Sequence, residues 1–130
     1  MDYRNRILAK FQSEEKQFLN NECDCFGIYQ LKVSDKLRHL HFVSMDYLRK
    51  GGDLPRKQNF DFIYYDKLND NMDLDMIYEI FNLYRPDLFM GHSLSVSDIV
   101  VLHKNGTNTA FYVDNVGFVN LDWLSSWKEL

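Results

Sequence analysis

"DIVVLHKNGTNTAFYVDN", residues 98–115, decides the fold. Two apolar runs, 98–104 and 108–115, flank Asn105-Gly106. Asn and Gly both tolerate left-handed backbone, which is what the tight turn of a twisted two-stranded ribbon demands. The stretch therefore reads as a β-hairpin, and the sheet around it is antiparallel. Working outward, "GFVNL" at 117–121 is a further short strand. "CFGIYQLK" at 25–32 is another, aromatic and β-branched in character. "LRHLHFVSM" at 37–45 alternates Leu37, His39 and His41 against Arg38, Leu40 and Phe42. That alternation predicts a strand paired back on 25–32 across the turn "KVSDK". "FDFIYYDKL" at 60–68 is a strand or an extended segment.

Helices fill the rest. Tyr3, Ile7, Phe11 and Phe18 recur near a helical period over 3–20, with Leu8 and Leu19 widening the stripe. Ser44 or Asp46 caps a short helix that Gly51-Gly52 ends. Asp73 caps a helix over 74–84, with Met76, Ile77, Ile80, Phe81 and Tyr84 as its apolar stripe and Pro86 as its stop. "DWLSSWKEL" closes the chain as a helix with Asp122 at its start and both Trp packed inward. The expected class is α+β: a small antiparallel sheet with an N-terminal helix and further short helices packed on it.

At 130 residues the chain is a single domain, 1–130. Ten Phe, eight Tyr and two Trp can offset the entropy of ordering, which argues against disorder. No run is long enough to span a bilayer, and "MDYRNRILAKFQSEEKQFL" lacks the apolar core of a signal peptide. The expectation is a cytoplasmic protein with no membrane partner. Cys23 and Cys25, one residue apart, are read as thiols in a reducing compartment.

Charge is unevenly placed. Residues 1–60 hold eleven Lys/Arg against eight Asp/Glu, whereas 61–98 hold two against eight. The acidic middle, around Asp61–Asp87, is either a solvated face or a surface for a basic groove on a protein partner. Asp61, Asp66, Asp70 and Asp75 are the candidate partner-binding residues. Asp73 stands apart as a helix cap.

A second constellation is Cys23-x-Cys25 with His39-x-His41. Period two puts each pair on one side of a strand. If 25–32 and 37–45 pair, two thiolates and two imidazoles could surround a structural zinc ion. Both spacings are tighter than the usual zinc motifs, so plain packing and a wet sheet face remain the alternative.

"GHSLSVSDIVVLHKNG", 91–106, tempts toward a Ser/His/Asp triad. The nucleophile-elbow pattern G-x-S-x-G is absent, and side chains one apart point different ways. Ser93, Ser95 and Ser97 are read as loop hydroxyls that satisfy backbone groups. His92 and His103 are read as structural or exposed. No residue is assigned a catalytic role.

"IYQLK" at 28–32, "FVSMDYL" at 42–48, "MIYEIFN" at 76–82, "GHSLSVSDIVVL" at 91–102 and "FYVDNVGF" at 111–118 resemble, in that order, the YodL-like domain family of Firmicute mobile elements. The resemblance covers about residues 26–120. Residues 1–25 form an N-terminal helical extension outside it. Several anti-CRISPR proteins that inhibit type II-A Cas9 are similar to this family. The resemblance thus implies a phage or mobile-element protein that binds Cas9 or its guide-RNA complex and blocks loading of guide or target nucleic acid. Another accessory or antirestriction protein-binding role is the alternative. A nuclease acting on guide RNA is favoured least, since no segment offers a carboxylate cluster or a His/Lys acid–base pair. The acidic balance likewise argues against direct binding of nucleic acid.

Overall fold

The structure, a computed structural model, describes residues 3–84, 86 and 91–130. Five strands form one antiparallel sheet: β1 (Cys25–Leu31), β2 (Phe60–Lys67), β3 (Ile99–Lys104), β4 (Thr107–Val113) and β5 (Phe118–Asn120). Their order across the sheet is β2-β1-β3-β4-β5. Four helices pack on it: α1 (Tyr3–Leu19), α2 (Met45–Gly51), α3 (Leu74–Leu83) and α4 (Ser125–Lys128). The class is α+β, as expected.

The Asn105-Gly106 turn is as anticipated, with φ values of 52° and 77° joining β3 to β4. The partner of β1 is not. Residues 37–45 are not a strand; Arg38–Leu40 form a single 3-10 turn and the chain then enters α2. β1 is buried along its whole length and sits between β2 and β3. Neighbours of such a strand must be apolar on both faces. "FDFIYYDK" and "IVVLHK" meet that demand over most of their length. Residues 37–45 would push Arg38, His39 and His41 into the core, so they stay on the surface.

Period two then splits β1 between two cores. Cys25, Tyr29 and Leu31 face one side, with Phe18 of α1, Met45 and Leu48 of α2, and Trp127 of α4. Phe26 and Ile28 face the other, with Ile77 and Phe81 of α3 and with Leu94. Trp127 meets Tyr29 and Phe60 edge-on, each at 5.3 Å between centroids. Gly27 lets α1 approach: a Cβ there would lie 2.8 Å from the Phe18 ring, which stacks on Phe62 at 5.6 Å. A register shift between Ile28 and Tyr29 lets Ile63 and Tyr64 both pack on the second core.

Caps agree with expectation in two helices. The Ser44 side chain accepts from the Tyr47 N–H, and that of Asp73 accepts from the Met76 N–H. On α3, Ile77 and Phe81 are buried, while Met76 and Tyr84 lie on the exposed side of the stripe. The closing helix is one turn only, is not capped by Asp122, and buries Trp127 but not Trp123. Trp123 instead receives the Arg49 guanidinium at 5.1 Å from its ring. The side chains of Tyr3, Ile7 and Leu8, and residue Asp87, lie outside the described residues.

Candidate functional site

The serine stretch folds into a loop that clamps one end of the sheet. Gly91 opens it. A Cβ there would collide with Gln30 Oε1 and Ile63 Cγ2, so only glycine lets the loop pass Gln30. Gln30, the polar residue of β1, donates from Nε2 to the His92 carbonyl at 2.8 Å and to Asp98 Oδ2 at 3.2 Å. Leu94 is buried in the second core, with its N–H donating to the Phe81 carbonyl and its own carbonyl accepting from Asn82 Nδ2. Ser95 donates from Oγ to the Ser93 carbonyl at 2.8 Å and from N–H to Asp98 Oδ2 at 2.9 Å.

Ser97 is the pivot. Its backbone is left-handed, with φ at 85°, and its hydroxyl accepts the Phe42 N–H at 3.1 Å. Phe42 is itself left-handed, with φ at 62°. For a residue with a side chain each such conformation costs on the order of 1–3 kcal/mol, and such residues gather at functional sites. Among the described residues, two of the three non-glycine residues with positive φ thus touch each other. The Phe42 ring is 62% exposed and lies between His41, at 5.8 Å, and His92, at 6.2 Å. Those three residues line an open groove with Val33, Ser34, Asp35 and Arg38.

Behind the groove Asp98 is 1% exposed. Burial pushes its carboxyl up to about 8, although the Ser95 N–H and the Gln30 amide both pull it back down. His92 Nδ1 lies 2.8 Å from the Ser93 carbonyl, which can only accept. A hydrogen on Nδ1 would serve that carbonyl, the Gln30 amide nitrogen also lies 3.4 Å from Nδ1, and the ring's Nε2 is 3.8 Å from Asp98 Oδ1. A triad base needs an ionised carboxylate behind it and a serine hydroxyl in front. Here burial favours the neutral carboxyl over the carboxylate. Among the described residues none of the three serine hydroxyls bonds His92, and those of Ser95 and Ser97 serve backbone groups. Reading the serines as loop hydroxyls agrees with this geometry.

The structure does not bring Cys23, Cys25, His39 and His41 together. Cys25 begins β1, opposite Lys67 and His103. His41 lies beyond the other end of β1, with Nε2 3.3 Å from the Lys32 carbonyl, and His39 meets Asp53 at 4.0 Å. β1 separates the two pairs by about 20 Å. The expected convergence required strand pairing of 37–45, which does not occur. Burial pushes the Cys25 thiol up to about 11, the opposite of a poised thiolate. No group of three or more His, Cys, Asp or Glu among the described residues could hold a metal ion.

The four aspartates fall along one continuous stretch. Asp61 and Asp66 lie on the edge strand β2, Asp70 lies in the following loop, and Asp75 lies in the first turn of α3. Asp66, Asp70 and Asp75 are exposed. Asp61 is half-buried, and burial raises its carboxyl while Lys32 lowers it. Asp66 is held by the Tyr64 hydroxyl at 3.1 Å and the Lys67 N–H at 2.7 Å.

Gln30 and Phe42 are the residues that sequence reasoning missed. A glutamine inside the apolar run "GIYQL" was the available signal for the first. Nothing in "HFVSM" signals a left-handed Phe42.

No helix among the described residues is long and apolar enough to cross a membrane. Neither the curated proteins nor the solved structures yielded a match. A model of the YodL-like domain matches residues 25–123, which contain the sheet, the clamp loop and α2 to α3. The match spans well over half of the chain, and the chain belongs to the YodL-like domain family.

Proposed function

We propose that this chain is a protein-binding inhibitor from a phage or mobile element, and that its partner is type II-A Cas9 or the Cas9–guide RNA complex. The observation that carries a binding role is the display of apolar side chains at the clamped end of the sheet. Val33 is 91% exposed, Phe42 62% and Val116 92%, on three loops at that end. Exposed aromatics on rigid backbone are the usual anchors of interfaces. Cas9 as the partner rests on the similarity of several type II-A inhibitors to the YodL-like family. The exposed carboxylates of Asp66, Asp70 and Asp75 suit a groove that normally holds nucleic acid, and would speed encounter with it.

The test is association of the purified protein with Cas9, with and without guide RNA, over a range of salt. The Debye length shrinks from about 10 Å at 0.1 M to about 3 Å at 1 M, so association should slow as salt rises. Replacing Asp66, Asp70 and Asp75 together by Asn should remove most of that dependence, with an effect on the association rate of about tenfold at low salt. Failure to bind Cas9 in either form removes Cas9 as the partner. Binding at an unchanged rate by the triple variant removes the acidic contribution.

A further inference from the structure

We propose that Asp98 and His92 form a proton-operated latch, in which loss of the proton from the buried Asp98 carboxyl loosens the 91–98 loop and with it the backbone that holds Phe42 outward. Both hydrogen-bond donors on the carboxyl, the Ser95 N–H and Gln30 Nε2, go to Oδ2. That leaves Oδ1 to carry the proton, 3.8 Å from His92 Nε2. Among the described residues His92 is the basic side chain that meets this carboxyl. The other titratable groups near it give no positive charge. Tyr112 on β4 is held neutral by burial and by the acids Asp114 and Asp98. Asp61, opposite Gln30 on β2, has Lys32 as its own cation. With His92 uncharged, ionised Asp98 is an uncompensated buried charge, and the relief available is opening of the loop to water.

Opening is transmitted by short links. Asp98 donates its N–H to the Ser95 carbonyl, and its carbonyl accepts the Val113 N–H. Ser97, one residue before it, donates its N–H to the Val113 carbonyl and accepts the Phe42 N–H. Once the loop lifts, Phe42 loses the partner that fixes its left-handed backbone.

The sign follows from linkage. Closed, the carboxyl titrates at about 8; open, it returns to the ordinary value of about 4. A folded-state value that is raised gives a contribution complete below the open-state value and lost as pH rises to the closed-state value. The opening equilibrium should grow about tenfold per pH unit between those limits and level off above about pH 8.

Amide hydrogen exchange on the whole chain tests this, as protection factors of the Ser95 and Phe42 amides from pH 5 to 9, with the Val101 amide of β3 as reference. The expected result is a fall of about tenfold per pH unit that levels near pH 8 for Ser95 and Phe42, and a flat profile in Asp98→Asn. Asn keeps an acceptor for both donors and has nothing to ionise. Flat protection in the unmodified protein, or an equal slope in Asp98→Asn, overturns the latch. If Asp98→Asn does not fold, the carboxyl carbon shift of Asp98 decides: a titration midpoint near 8 supports the latch, and one near 4 overturns it.

Discussion

The two ends of β1 are built from the same kind of part and put to different use. At the Cys25 end a buried histidine, His103, is 3% exposed, with Nε2 2.8 Å from the Asn21 carbonyl and Nδ1 2.6 Å from the Asn108 amide side chain. Asp24 Oδ1 accepts the Asn105 N–H across the hairpin turn. These bonds tie the end of α1 to the β3–β4 hairpin. The one left-handed non-glycine residue there, Asn105, is of a type that tolerates it. At the Leu31 end the described buried polar residues are Gln30, Ser97 and Asp98. Ser97 and its partner Phe42 are strained, and Val33 and Phe42 face solvent. One end spends its polar contacts on locking elements together. The other uses them to hold an unfavourable backbone in place, as the proposed contact surface would require.

The comparison breaks first at the locked end. Phe18→Ala should cost about 3–5 kcal/mol in urea unfolding, because Phe18 is fully buried and is the ring over Gly27. Glu15, which accepts from the Tyr29 hydroxyl at 2.6 Å and pairs with Lys57 at 2.7 Å, cannot hold α1 alone. A loss below about 1 kcal/mol would mean that α1 is an accessory to the fold. Next, His103→Leu should cost about 2 kcal/mol, since the Asn21 carbonyl and the Asn108 side chain would both lose their partner. Amide exchange at Phe42 should be unaltered in that variant. A change at Phe42 would show that the two ends are coupled and that the contrast is false.

The hairpin, the caps on α2 and α3, and the core positions Phe18, Ile77 and Phe81 were legible because each depends on neighbours in sequence. Strand pairing was legible only in part. Residues 37–45 alternate as a strand does, but alternation reports one wet face, and β1 has none. The better cue was "IVVLHK" and "FDFIYYDK", apolar on successive residues, as a twice-covered neighbour must be. That misreading also joined His39 and His41 to the cysteines. The serine loop was legible as scaffold from its chemistry, yet its partners were not. The Gln30–Asp98 and Ser97–Phe42 bonds span 68 and 55 residues, and no local pattern encodes them. The two Trp looked equivalent, but Trp123 donates Nε1–H to the nearby Asn120 carbonyl and stays outside.

The smallest effect is the most telling. Phe42 holds φ at 62° with its ring largely in water, so little apolar burial opposes a change there. Glycine normally destabilises relative to alanine because its unfolded chain is freer. At a left-handed position that order inverts, since glycine alone adopts the conformation without strain. Urea unfolding of Phe42→Gly against Phe42→Ala therefore tests directly whether the clamp holds a strained display. Phe42→Gly should be the more stable of the two by about 1 kcal/mol, and no less stable than the unmodified protein by more than about 0.5 kcal/mol. If Phe42→Ala is the more stable variant, the strain is not there and Phe42 is not a displayed residue.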